Sequence, residues 1–302
     1  MCIRDSNDNL RKILLKSFTG KSLKEKLTPW SRMRPKLLKP KLPGVKEPRT
    51  GLSMGESTEI IAKDYAISRH DQDTLAIESH TKASRAYDEG FYEDLVVPFE
   101  GVEKDNIIRH DSTIQKLASL KTVFDKGVNA TLTPGNSTSL TDGSAAVLLA
   151  SEEWANKNNL DIESYLTSFE IAAVNYIDNE GLLMAPAYAV SEMLKKQNLN
   201  LQDFDFYEIH EAFAAQTLAT INAWKSEEFC KSKLGREKAM GSFDHNKLNV
   251  KGGSLAIGHP FAATGARIVA TLSKLLKDNG GGKGLISICT AGGMGITAIL
   301  ER

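Results

Sequence analysis

From Leu160 onward, the hydrophobic pattern alternates between two periods. Short apolar runs or two-residue alternation predict strands at Leu166–Ile177, Phe204–Ile209, Leu285–Cys289 and Gly295–Leu300. Apolar residues spaced three and four positions apart predict helices at Pro186–Gln197, Glu211–Trp224 and Ala263–Leu276. Strands that alternate with helices are typical of a layered α/β domain.

Before Leu160 the pattern indicates mainly helices and loops. Helical spacing is found over residues 10–18, and a second helix is predicted with Ser57 or Thr58 as its cap. A third helix is predicted to follow Ser68. A polar, Gly-containing loop then leads into an apolar run, Val147–Ala150, which predicts a buried strand.

Composition narrows the class of protein only slightly. The 302 residues contain 38 Lys and Arg against 38 Asp and Glu, so the global charge does not point to nucleic acid. No apolar run approaches the roughly 20 residues that span a bilayer. Three cysteines, an odd and sparse number, argue against a disulfide framework and for a reducing compartment.

Positive charge is concentrated near the start of the chain. Residues 7–50 contain 13 Lys and Arg against 3 Asp and Glu, a net charge of +10. Two interpretations stay open here: a solvated basic face, or a docking surface for a partner subunit or an anionic membrane. Prolines predict extended, loop-like chain after the first helix, at Pro29, Pro35, Pro40, Pro43 and Pro48.

Three short segments place reactive side chains at predicted element boundaries. His210 follows a predicted strand and is expected to open a helix, whose N-terminus would help it meet a developing negative charge. His259 follows three glycines and precedes Pro260, which we expect at the first position of a helix. Cys289 ends an apolar strand, and a Gly-rich turn that suits an oxyanion site follows it.

Each residue alone also has a structural interpretation, since a histidine or a buried cysteine is often inert. In this order, however, the segments resemble the thiolase family. The resemblance lies in HEAFAAQ, GGSLAIGHPFAATGARIV and CTAGGMG, and upstream in GNSTSLTDG from Gly135 and LSMGESTE from Leu52. His210, the GHPFAATGAR run and the segment Phe229–Gly235 resemble the long-chain branch, the β-subunits of fatty-acid oxidation complexes.

The resemblance implies a thiolase-like layered α-β-α-β-α fold and a ping-pong acyl transfer. In that reaction a cysteine attacks a 3-ketoacyl-CoA, expels acetyl-CoA and passes the shortened acyl group to CoA. CoA would be a substrate, and no cofactor is implied. No metal site is expected, because the remaining histidines lack ligand spacing: His70, His80, His110 and His245.

The resemblance also assigns roles residue by residue. His259 would activate the nucleophile and help hold the thioester oxygen. Cys289 would be the acid/base, with a pKa that nearby histidine and backbone dipoles can bring near working pH. His210 would help bind the thioester oxygen, directly or through water, and the Ala291 N–H would form part of a second oxyanion site. Substrate contacts are implied at Thr138, for CoA, and along the pantetheine and acyl pocket at Met54, Leu182 and Phe213.

One part of the family pattern has no counterpart in these residues. The nucleophile of the family lies in a C-S/A-S-G block, and Cys2 and Cys230 lie in other contexts. We therefore expect residues 1–6 to be a non-native prefix, 7–141 the loop region, 142–159 the last strand and helix of the first half, and 160–302 the second half. Most of the first half would be missing, which predicts an exposed apolar face.

Partners and alternatives are expected on the same basis. The resemblance implies a homo-oligomer, with a hydratase/dehydrogenase α-subunit as a further partner. We expect a cytoplasmic location, with the mitochondrial matrix as the alternative. Other functions left open are a non-catalytic thiolase-like acyl-CoA or lipid-binding protein, a β-ketoacyl condensing enzyme, and a docking subunit acting through residues 10–46. Cys289 argues against the condensing enzyme, which normally lacks this acid/base cysteine.

The first prediction concerns turnover by these 302 residues alone. Without the nucleophile block, the purified chain should not cleave a 3-ketoacyl-CoA with CoA, because no acyl-enzyme can form. The measurement is acetyl-CoA release over many equivalents of enzyme. Steady CoA-dependent cleavage would refute the expectation.

Overall fold

The computed structural model describes residues 7–39, 46–178 and 180–302. The chain divides into two compact units, one ending at Lys46 and one beginning at Glu47. The proposed prefix, with Cys2, lies outside the described residues, as do Pro40 and Pro43.

The first unit is helical and basic. It contains α1 (Asp8–Thr19), α2 (Leu23–Leu27) and two 3-10 turns, Thr28–Arg32 and Pro35–Leu38. The helix predicted over residues 10–18 is confirmed, and its buried side chains pack in a small cluster made of Leu10, Ile13 and Leu37. The prediction of extended chain at Pro29 and Pro35 is wrong. Each proline occupies the first turn of a 3-10 helix, where its missing N–H leaves no bond unmade.

The second unit begins with α3 (Met54–Asp64) and α4 (Arg69–Asp88), followed by the short helices α5 (Ile114–Ala118) and α6 (Glu152–Lys157). Ser68 caps α4, as predicted. The predicted cap of α3 is wrong, because Ser53 begins that helix. Its hydroxyl accepts from the Glu56 N–H, and the Glu56 side chain accepts from the Ser53 N–H. The S-x-x-E capping box therefore places the helix start four residues before Ser57.

A four-stranded mixed sheet is the framework of the described part of this unit. It contains β1 (Tyr165–Ala173), β2 (Phe206–Ile209), β3 (Lys283–Thr290) and β4 (Met294–Glu301), in the order β1-β4-β3-β2. Only β2 and β3 run parallel. The four predicted strands are confirmed, although β1 ends at Ala173 because a 3-10 turn follows at Tyr176–Asp178.

Helices lie on both faces of the sheet, although one face of β1 is exposed. They are α7 (Ala185–Gln197), α8 (Ala214–Lys225), α9 (Glu227–Ser232), α10 (Ser254–Ile257) and α11 (Thr264–Asp278), with a 3-10 turn at His245–Lys247. Alternate residues of β3 face opposite layers. Leu285 and Cys289 join the cluster built on α7 and α8, whereas Ile286 packs in the cluster built on α11. This alternation fixes the face on which Cys289 lies.

The predicted strand at Val147–Ala150 is wrong. These residues form no strand, and Leu148 and Leu149 are 74% and 67% exposed. Among the described residues no strand pairs with them, so their backbone has no ladder partner. On β1, Phe169 and Ile171 are also exposed. Exposed apolar side chains thus lie on β1 and on residues 147–149, and the apolar face expected from a missing first half stays a prediction.

Across residues 7–39, 46–178 and 180–302, no helix is both long enough and apolar enough to cross a membrane.

Candidate active site

His210 lies at the carboxyl end of β2 and is 1% exposed. Its N–H donates to the Ser287 carbonyl of β3 over 2.8 Å. The prediction that His210 opens a helix is wrong, since α8 begins at Ala214. The intervening backbone pairs instead with the Gly135 loop, where the Thr138 N–H donates to the Ala212 carbonyl and Ser137 bridges Phe213. His210 is therefore placed by sheet and loop, not by a helix N-terminus.

His259 approaches His210 from a separate segment. The short helix α10 ends at Gly258, whose φ of 85° reverses the chain, a conformation that glycine adopts without strain. The His259 N–H then donates to the Ser139 carbonyl over 2.9 Å. The prediction that Pro260 begins a helix is wrong, because residues 260–263 form a turn before α11. The two imidazole centroids lie 4.4 Å apart with a 47° angle between the rings.

Each imidazole has a hydroxyl on its Nδ1 atom. Ser254 Oγ lies 2.7 Å from Nδ1 of His210, and Thr264 Oγ1 lies 2.7 Å from Nδ1 of His259. Burial lowers the pKa of both histidines, and the buried Arg267 guanidinium lowers them further. The pKa of His210 falls well below its ordinary range, and the neighbouring His259 contributes to this. Both rings are consequently neutral near pH 7.

Cys289 lies near the end of β3, on the strand that runs parallel to β2. Because parallel strands end at the same edge of a sheet, Cys289 and His210 share the carboxyl edge. The thiol lies 3.5 Å from Gln216 Oε1 of α8. Burial raises its pKa to about 12, so the expectation of a pKa near working pH is wrong for this chain. The described surroundings supply burial without a nearby positive charge that would stabilise the thiolate.

The remaining predicted site residues lie around this edge in different settings. Ala291 is exposed, in the turn between β3 and β4. The Thr138 hydroxyl donates to the Ser254 carbonyl over 2.6 Å, which ties the Gly135 loop to α10. Leu182 and Phe213 are buried in the main core, where the half-buried Met54 also packs. Their substrate contacts stay predictions.

Buried charged residues behind the histidines were assigned no role from sequence. Glu208 on β2 is 3% exposed, and burial raises its pKa to about 8, although Arg267 opposes the shift. Burial also raises the pKa of Glu211, and three donors oppose this: the Ser79 hydroxyl, the Asn249 amide and the Leu255 N–H. A Cβ on Gly253 would lie 2.3 Å from Glu211 Oε2, so only glycine fits there.

The sequence pattern around Arg267 could have predicted that this residue is buried and has partners. It lies three residues after Thr264 and four before Thr271, and therefore on the same face of α11 as these buried threonines. A cation on a buried helix face requires partners. For Glu208 the signal was misleading, because alternation along β2 suggests a solvent-facing side chain, whereas helices cover both faces of the strand.

No group of three or more histidine, cysteine or carboxylate side chains among the described residues could hold a metal ion.

Family models match nearly all of the chain after the first 22 residues. The thiolase N-terminal domain matches residues 23–153, and the thiolase C-terminal domain matches residues 160–302. Proteins named 3-ketoacyl-CoA thiolase from Yersinia pestis and Yersinia pseudotuberculosis are each 43% identical over 298 residues. These alignments cover 97% of this chain and 68% of each relative.

Solved structures give the same result. An acetyl-CoA acetyltransferase of Bacillus anthracis aligns with a TM-score of 0.71 and 34% identity, over 85% of this chain and 62% of its own. A human mitochondrial 3-ketoacyl-CoA thiolase aligns with a TM-score of 0.70 and 31% identity, over 85% of this chain and 61% of its own. The α/β fold of the sheet and its helices is thus that of the thiolases.

This chain belongs to the thiolase family. It spans about two thirds of the length of the curated relatives, and slightly less than two thirds of the two solved chains.

The second prediction tests the buried Glu208. Its pKa in the folded chain is about 8, above the ordinary value of 4.5. The native state therefore holds a proton that the unfolded state loses, and stability contributed by this group falls as pH rises from about 4.5 to about 8. Glu208→Gln cannot titrate. Relative to the unsubstituted chain, its free energy of unfolding should rise across that window, by on the order of a few kcal/mol in total.

Urea unfolding at several pH values measures this difference. Glu103→Gln is the matched control, because Glu103 is exposed and the same substitution should leave the pH profile unchanged. A difference between Glu208→Gln and the unsubstituted chain that stays constant from pH 5 to pH 8 would contradict the assigned pKa.

Proposed function

We propose that the whole protein cleaves a 3-ketoacyl-CoA with CoA, giving acetyl-CoA and an acyl-CoA two carbons shorter, in fatty-acid β-oxidation. One observation carries the proposal: two neutral imidazoles, His210 and His259, lie 4.4 Å apart at the sheet edge that Cys289 also occupies. Two imidazoles and a thiol are the groups that the thiolase resemblance assigns to this acyl transfer. The names of the 43% identical relatives support the same substrate class.

In the proposed reaction, His259 takes the proton of a nucleophilic cysteine supplied by the family's C-S/A-S-G block. The thiolate attacks the keto carbon of the substrate, the bond between that carbon and C2 breaks, and its electron pair passes to the enolate of acetyl-CoA. The acyl group is then held as a thioester. The thiol of a second CoA attacks this thioester, releases the acyl-CoA and regenerates the cysteine.

Cys289 gives its proton to C2 of the leaving enolate. With a pKa raised to about 12, the thiol is protonated near pH 7, which is the form that an acid requires.

The other residues bind substrate in this proposal. His210 donates to the thioester oxygen, and the Ala291 N–H contributes to the second oxyanion site. The Thr138 hydroxyl proton is bonded to the Ser254 carbonyl, so Thr138 would offer CoA only its lone pairs. Met54, Leu182 and Phe213 line the pantetheine and acyl pocket.

We also propose the location and assembly expected from the resemblance: a cytoplasmic homo-oligomer, with a hydratase/dehydrogenase α-subunit as its partner. The exposed apolar side chains of β1 and of residues 147–149 are consistent with a surface that further protein covers.

The third prediction tests the role of Cys289 in the whole protein encoded by the parent gene. Cys289→Ser keeps the size of the side chain but replaces the thiol by a weaker acid. CoA-dependent cleavage of a 3-ketoacyl-CoA should fall by about 10²- to 10⁴-fold, the usual contribution of a general acid. The measurement is steady-state kcat for acetyl-CoA release.

Cys230→Ser is the matched control. Cys230 is equally buried, lies on α9, and its thiol contacts the carbonyls of Ala223 and Trp224. Its replacement should leave kcat within a few-fold. Equal activity of the Cys289→Ser protein would overturn the acid role. A whole protein with bound acyl-CoA and no turnover would instead favour a non-catalytic binding protein.

We propose that the first, basic helical unit also binds an anionic membrane surface. Residues 7–39 contain 10 Lys and Arg against 2 Asp and Glu. Apolar side chains are exposed in the same unit, with Phe18 87%, Leu23 74% and Leu27 59% exposed. Lysines beside exposed apolar residues suit the headgroup region of an anionic bilayer, where both are stabilised.

The fourth prediction follows from this charge. The chain should co-sediment with vesicles that contain anionic lipid, and binding should weaken as salt screens the lysines. The double substitution Lys12→Glu, Lys16→Glu should reduce binding by about 30-fold or more, since each of the two basic residues contributes about 1 kcal/mol near such a surface. Lys157→Glu, an exposed change on α6, should not. Salt-independent binding, or equal binding of both variants, would contradict the proposal.

A further inference from the structure

Each of the two site histidines has a hydroxyl next to its Nδ1 atom, but the two hydroxyls have different second hydrogen-bond partners. In each case a hydroxyl oxygen lies 2.7 Å from Nδ1. A hydroxyl can either donate to a neutral imidazole nitrogen or accept from it, and the choice fixes which ring nitrogen carries the proton. The other contacts of each hydroxyl decide between the two.

The Ser254 hydroxyl has a hydrogen-bond donor as its second partner. The Arg267 Nη2 atom lies 2.7 Å from Ser254 Oγ, and a guanidinium has protons to donate but no lone pair to accept with. Ser254 is 1% exposed, so its own proton requires a protein acceptor. Among the contacts of the described residues, the acceptor for that proton is Nδ1 of His210. The proton of the His210 ring must then be on Nε2.

The Thr264 hydroxyl has a hydrogen-bond acceptor as its second partner. Its Oγ1 lies 3.2 Å from the Pro260 carbonyl four residues earlier, and a carbonyl can only accept. When the threonine proton is donated there, Oγ1 is left to accept from Nδ1 of His259. The His259 ring then carries its proton on Nδ1, and its Nε2 has a free lone pair.

We propose that Ser254 with Arg267, and Thr264 with the Pro260 carbonyl, hold the two neighbouring imidazoles in opposite tautomers. His210 presents Nε2–H, a hydrogen-bond donor, and His259 presents an unprotonated Nε2, a base. Ser254, Arg267 and Thr264 are positioning residues, because they act through the two rings.

The opposite tautomers match the two roles in the proposed reaction, and that part of the inference rests on the proposed function. A donor is required at the thioester oxygen, and a proton acceptor is required at the nucleophilic thiol. The buried Arg267 supports this division in a second way. Its positive charge lowers the pKa of both rings, so neither becomes an imidazolium that would donate from both nitrogens.

The fifth prediction is tested by nitrogen NMR of the 302-residue chain with ¹⁵N-labelled histidine at neutral pH. Single His→Gln variants assign the six histidines. Protonated and unprotonated ring nitrogens resonate in well-separated regions. His210 should show its unprotonated signal from Nδ1 and its protonated signal from Nε2, and His259 should show the reverse. The same tautomer on both rings, or a proton on Nδ1 of His210, would overturn the proposal.

Two substitutions with matched controls add a causal test. Thr264→Val should move the His259 proton from Nδ1 towards Nε2, whereas Thr271→Val, a buried change on the same helix, should not. Ser254→Ala should shift the Nδ1 signal of His210 towards that of a nitrogen without a hydrogen bond. Ser287→Ala removes another buried hydroxyl beside β2 and should leave the signal unchanged. Unaltered His259 nitrogens in Thr264→Val would refute the role of Thr264.

If Thr264→Val or Ser254→Ala fails to fold, the assigned spectrum of the unsubstituted chain still decides whether the two rings carry opposite tautomers. It requires no turnover, so its result is independent of the kinetic test of Cys289. The NMR spectrum can refute the assigned tautomers without refuting the proposed reaction. The kinetic test of Cys289 can refute the reaction without refuting the tautomers.

Discussion

The buried carboxylate of Glu211 is the interaction on which the site geometry depends. It accepts hydrogen bonds from Ser79 of α4, from the Asn249 amide and from the Leu255 N–H of α10. These donors come from segments up to 176 positions apart in the sequence. Because burial of a charge is costly unless it is fully hydrogen-bonded, loss of any one donor would strain the whole cluster. The residue beside His210 thereby fixes α10, which carries Ser254 and leads into His259.

The centre of the candidate site carries no net charge near pH 7. Both imidazoles are neutral, and the Cys289 thiol is protonated. A formal charge lies one layer behind, on Arg267, whereas the buried Glu208, with its pKa raised to about 8, holds its proton near pH 7. Oriented dipoles in a buried site stabilise charge as it develops and need little reorganisation to do so. In the proposed reaction such dipoles would favour the transition state that leads to the enolate more than the resting state.

Much of the fold was predictable because it depends on local pattern. The four strands and the helix α11 follow from hydrophobic periodicity, and the family follows from short blocks around His210, His259 and Cys289. The failures have physical causes. Apolar character alone gave Val147–Ala150 a strand, but a strand requires a neighbour to pair with. The pKa of Cys289 depends on burial that only packing shows. The helix expected at His210 is displaced to Ala214 because the Gly135 loop takes the intervening backbone bonds. Candidate residues were thus easier to identify than their protonation.

The edge strand β1 has a consequence for how this chain behaves in solution. One side of β1 pairs with β4, and among the described residues no strand pairs with its other side. Phe169 and Ile171 project from the same face of this open edge, at alternate positions. An unpaired, apolar edge is a template for a strand of another molecule. We therefore expect association of the isolated chain through this edge to increase with protein concentration, a property that its free energy of unfolding does not describe.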